Sequence, residues 1–125
     1  GTASVPRVDK IVGPGNPYTV LAKRVVFGQV GIESLPGPTE VLIIADDRAN
    51  PRWLAADLLS QAEHGADSMV VLLTTSEALG KAVAAEVEAQ IPTLSRAETI
   101  RQCVRDHGWV IVTRDLNEAC ELSNQ

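Results

Sequence analysis

The chain has 125 residues, the size of one ordinary domain with a single core, and its 45% apolar and 22% charged residues exclude wholesale disorder. Aromatic residues are only 3%, so the core must be aliphatic, which suits a parallel sheet covered by helices. A net charge of −5, with Lys and Arg scattered along the chain, argues against a nucleic-acid surface or a polybasic lipid anchor.

Strand and helix signals alternate along the chain. Val8–Val12 reads as a short strand and Gly13–Pro17 as a turn, followed by an apolar-periodic helix over Pro17–Phe27 with Asn16 as its cap and Pro17 in the first helical position. An extended piece, Val30–Ser34, leads into the Pro/Gly-rich turn Leu35–Thr39. The β-branched run Glu40–Asp46 predicts a central parallel strand buried on both faces. Asn50 caps a helix that runs to His64 and stops at Gly65. Ser68–Thr74 is a second buried strand, and Ser76 opens an Ala-rich helix to about Ile91. Ser95 and Glu98 match a capping box for the next helix, which Gly108 ends. Trp109–Thr113 reads as a third buried strand, and Asp115 caps a last helix through Glu118, Cys120 and Leu122.

This order predicts one α/β unit over residues 1–125, a three-layer Rossmann-like or flavodoxin-like segment whose mostly parallel sheet is flanked by helices. A lobe junction can fall near residues 35–40. The longest apolar runs are strand-sized, and no signal-peptide pattern opens the chain. Gly1–Ser4 reads as the ragged start of a fragment or a cloning scar. Cys103 and Cys120, among apolar neighbours on predicted helices, read as buried thiols in a reducing, cytoplasmic setting.

Three features carry chemistry. Gln61 and His64 stand three apart and project from one face of the helix, with Asp57 extending that face and Leu54, Leu58 and Ala62 on another. Such a face can hold a metal or polar ligand, or be a solvated helix end. Gly13-Pro14-Gly15-Asn16 is a strand-to-helix turn that could admit a phosphate or be a plain tight turn. Tyr18 replaces the third glycine of a dinucleotide fingerprint, and Glu33 comes early, in a weak strand. In Gly37-Pro38-Thr39-Glu40 the hydroxyl and carboxylate face a ligand or cap a turn. His107 suits a helix C-terminus, and Trp53 and Trp109 read as packing residues. No Gly-x-Ser-x-Gly elbow supports a serine hydrolase, and neither cysteine has partners at structural-zinc spacing.

Together these segments resemble the histidinol dehydrogenase family. The resemblance runs through Val8–Asn16, Ala22-Lys23-Arg24, Gly37–Glu40 and Leu58–His64, then Arg96–Thr99, Val112–Leu116 and Ser123-Asn124-Gln125. It implies a zinc- and NAD-dependent homodimer that oxidises L-histidinol to L-histidine in two steps. It implies further that Asn16 contacts NAD and that Thr39 stands where the family usually has a substrate-contacting serine. Gln61 and His64 would be zinc ligands bordering the histidinol site. The family's enzyme is much longer. Its catalytic Glu-His pair and remaining zinc ligands correspond to nothing in these 125 residues. The expectation is therefore a truncated segment holding half a zinc site, with weak or no cofactor binding of its own and a tendency to self-associate. The alternative is an inactive α/β scaffold derived from that enzyme.

Overall fold

A computed structural model describes residues 1–37 and 39–125, and Pro38, within the Gly37–Glu40 turn, lies outside the described residues. The chain forms two compact units, Gly1–Gly37 and Pro38–Gln125.

The first unit is a small βαβ arrangement. Strand β1 (Lys10–Ile11) and strand β2 (Gly31–Ile32) pair in parallel, Lys10 with Gly31 and Ile11 with Ile32. Helix α1 (Pro17–Val25) is the crossover between them. Asn16 caps it as expected, its Oδ1 accepting from the Thr19 amide at 3.0 Å. The helix stops before Phe27 because the chain turns at Gly28, where φ is +85°, and Phe27 bridges to Val30 instead. The apolar side chains of Tyr18, Leu21 and Val25 are exposed, and the residue α1 buries is Lys23.

The second unit carries strands β3 (Glu40–Ala45), β4 (Met69–Thr74) and β5 (Gly108–Val112), all parallel, in the spatial order β3-β4-β5. Helix α2 (Pro51–Ala62) joins β3 to β4. Helix α3 (Glu77–Gln90), a 3-10 turn at Ile91–Thr93 and helix α4 (Ala97–His107) join β4 to β5. Helix α2 packs on both α3 and α4 over one sheet face, whereas α5 (Leu116–Ser123) returns to β3 and β4. Side chains alternate across a strand, and the core follows that rule. Val70 and Leu72 join Ala55, Leu58, Leu59, Val83, Ile100 and Cys103 in one cluster. Leu73, one residue out of phase, is buried outside that cluster, on the face where α5 lies. The observed class is the expected one, α/β with parallel sheets and helical layers.

Four expectations are corrected by packing. Among the described strands the β3 run is an edge strand with Leu42 exposed, because β4 takes ladder bonds on both sides and is the centre of the sheet. Strand β5 is not buried. Trp109 is 59% exposed, and Val110, Ile111 and Val112 are exposed with it, since β5 pairs only with β4 among the described strands. Trp53, at 71% exposure, likewise packs little, because it lies on the solvent side of α2, whose buried stripe is Ala55, Leu58, Leu59 and Ala62. Ser95 does not cap α4. The 3-10 turn delays the helix to Ala97, so Glu98 falls in the second helical position instead of the third that a capping box needs.

The cysteines divide. Cys103 is fully buried and donates its thiol to the Ser68 carbonyl at 3.2 Å, and burial pushes its pKa up, with Asp67 and Asp106 adding to the effect. Cys120 is exposed, contrary to expectation, because it opens onto a cleft beside β3, whereas its neighbour Ala119 is the residue α5 buries.

Candidate functional site

Gln61 lies in the last turn of α2, and His64 follows two residues after the helix ends at Ala62. The chain turns there through a hydrogen bond from the His64 amide to the Gln61 carbonyl, 3.1 Å. That turn brings the two side chains together: Gln61 Nε2 and His64 Nδ1 are 3.2 Å apart. Gln61 is half-buried and His64 exposed, while Leu54, Leu58 and Ala62 face inward as the helical spacing requires. Asp57 is exposed, and its carbonyl accepts from Ser60 Oγ at 2.7 Å.

A crossover helix runs antiparallel to the strands it joins, so the end of α2 lies at the edge where β3 and β4 begin. Thr39 is at that edge too. Its carbonyl accepts from the amide of Met69, the first residue of β4, at 3.2 Å, and its side chain is exposed. The fold therefore gathers Thr39, Gln61 and His64 at the amino edge of one sheet. Asn16 belongs to the other unit.

The Gln61–His64 pair fits one edge of a zinc polyhedron. Tetrahedral donors about 2.0–2.1 Å from zinc stand roughly 3.3 Å from each other. Turning the Gln61 carboxamide would place its oxygen where Nε2 now meets His64, giving one oxygen and one imidazole nitrogen at nearly that separation. Among the described residues, no group of three or more His, Cys, Asp or Glu side chains is placed to hold a metal ion.

Around Gly13 the structure reveals contacts that sequence reasoning missed. Gly13 has φ of +114°, a conformation that favours glycine. Its amide donates to Glu33 Oε2 at 2.9 Å, and its carbonyl accepts from the ammonium of Lys23, which is only 4% exposed. Two opposite charges thus grip both polar groups of one residue. Glu33 follows β2 directly, twenty residues after Gly13, which corrects its reading as early, whereas β2, with two residues, is as weak a strand as expected. The available signals were a lysine on a helix that reads as apolar-periodic and an acid twenty positions beyond the glycine. At Asn16, Oδ1 is committed to Thr19, through the amide and also through Oγ1 at 3.2 Å, which leaves Nδ2 without a partner among the described residues.

At the opposite edge of the second unit, a cleft beyond β3 is lined by Ile44, Asp46, Arg48, Leu116 and Cys120. Arg48 donates from Nε and Nη2 to Asp46 Oδ2, at 2.9 and 2.6 Å, and holds that carboxyl below its ordinary pKa. Arg48 is exposed and Asp46 half-buried, so solvent screens the pair and it is worth little to stability.

Parallel sheets flanked by helices define this chain as an α/β protein. The family model for histidinol dehydrogenase matches residues 1–125, and the chain belongs to that family. It is 57% identical over 124 residues to the histidinol dehydrogenase of Thermus thermophilus and 52% identical over 125 residues to that of Halalkalibacterium halodurans. These matches cover 99% and 100% of this chain and 30% of each relative. A crystal structure of histidinol dehydrogenase from Elizabethkingia anophelis is 44% identical, with a TM-score of 0.91 over 99% of this chain and 29% of that one. The chain thus spans about a third of the length of the relatives it matches.

Proposed function

We propose that these residues form the part of a zinc- and NAD-dependent enzyme that binds L-histidinol and contributes to its oxidation to L-histidine. The observation that carries this reading is the Gln61–His64 pair, held 3.2 Å apart in a chain whose family model matches from end to end. Zinc bound there would orient the amine and imidazole of histidinol. Gln61 and His64 would supply two of its ligands, Thr39 Oγ1 would meet the substrate at the same sheet edge, and Asn16 Nδ2 would contact NAD. The remaining zinc ligands and the general base come from outside these 125 residues, so the chain alone is not expected to turn over. The exposed apolar residues of β5 support packing against further protein, and the parent assembly is taken to be a cytoplasmic homodimer.

The test is a chimera in which this chain replaces the matching segment of the Thermus thermophilus relative, assayed for NADH formation from L-histidinol with zinc present. The chimera should turn over, and His64→Ala should lower its rate by more than about a hundredfold, beyond what loss of an outer-shell partner costs. An active chimera indifferent to His64→Ala would refute the metal assignment, and equal zinc affinity of both chains by calorimetry would do the same.

A further inference from the structure

The contact between Gly13 and Glu33 has the geometry of a ribose-reading device. In parallel α/β nucleotide sites, ligands lie beyond the carboxyl ends of the strands, and the turn after the first strand approaches the diphosphate. An acidic residue about twenty positions past the first glycine, at the end of the second strand, then takes the ribose hydroxyls. Here β1 and β2 are adjacent and parallel, Gly13 follows β1, and Glu33 follows β2 at a separation of twenty residues. One carboxylate oxygen, Oε2, is fixed by the Gly13 amide at 2.9 Å. Among the described residues Oε1 has no hydrogen-bond partner, so it stays free to accept. Lys23 holds the same turn from its other side through the Gly13 carbonyl.

We infer that Glu33 accepts the 2′-hydroxyl of the dinucleotide's ribose, and thereby selects a cofactor with that hydroxyl free over one phosphorylated there. This rests on the reading that the segment binds a dinucleotide. A carboxylate accepts readily from a hydroxyl, whereas a 2′-phosphate brings like charge and no donor to the same oxygen. Lys23 is a positioning residue, since its ammonium is spent on the turn itself.

The test compares kcat/KM for NAD and NADP in the active chimera and its Glu33→Gln, Glu33→Ala and Lys23→Met variants. Both Glu33 variants should narrow the preference for NAD by about tenfold or more, the scale of a lost hydrogen bond to a charged group, mainly through KM. Lys23→Met loosens the turn without touching the ribose contact. It should weaken NAD and NADP alike and leave their ratio unchanged. A ratio unmoved by Glu33→Ala in a chain that still uses NAD overturns the assignment of Glu33 and spares the dinucleotide reading. A chimera that oxidises histidinol without using either dinucleotide overturns both. Equal narrowing by Lys23→Met would show that Glu33 acts only through the turn, and would also overturn the proposal.

Discussion

An Asn16→Asp substitution keeps a side-chain acceptor at the cap of α1 and removes the two Nδ2 donors that the cap leaves uncommitted. The cap consists of the bonds from the Thr19 amide and hydroxyl to Oδ1, at 3.0 and 3.2 Å, and a carboxylate oxygen can accept both. The first turn of α1 contains no acidic residue, so the new charge meets the positive end of the helix unopposed and adds about 0.3–1 kcal/mol. Helix stability should therefore hold or rise. Asn16→Ala, in contrast, should cost about 1 kcal/mol by removing the cap. Dinucleotide binding should respond differently. Loss of a donor to a charged group costs about 1.5–3 kcal/mol, or roughly ten- to a hundredfold in affinity, and the introduced charge repels the diphosphate as well. Two measurements separate these effects. Amide exchange at Thr19 should stay protected in Asn16→Asp and quicken in Asn16→Ala, while the NAD KM of the chimera should rise at least tenfold in both. Exchange that quickens in Asn16→Asp would refute the cap argument, and an NAD KM within about twofold of the unaltered chimera would refute the ligand argument.

Two further outcomes follow from packing. A Cβ at Gly108 would lie 2.4 Å from the Val104 carbonyl oxygen, and α4 passes directly into β5 there with no loop to absorb a shift. Gly108→Ala should thus cost about 1–3 kcal/mol through overcrowding, read as a fall in midpoint on urea unfolding, and an unchanged midpoint would contradict the geometry. A thiol reagent at mildly alkaline pH should label Cys120 quickly and Cys103 only on unfolding, because burial both shields the Cys103 thiol and raises its pKa. Labelling both at equal rates in the folded chain would overturn that assignment.

Local chemistry was readable from the chain itself. Asn16, Asn50, Ser76 and Asp115 cap their helices because a short polar side chain reaches an amide two or three residues ahead, whatever the rest of the fold does. Gln61 and His64 meet as their spacing suggested, although through the turn that follows α2 and not on one helix face, and apolar runs marked where strands form. What the sequence could not supply was neighbourhood. The runs Glu40–Ala45 and Gly108–Val112 look as buried as Met69–Thr74, yet only β4 has a strand on each side in the described sheet, and hydropathy does not record position in a sheet. The same limit hid the grip of Lys23 and Glu33 on Gly13. Those residues are ten and twenty positions from the glycine, and only parallel pairing of β1 with β2 across α1 brings them to its backbone.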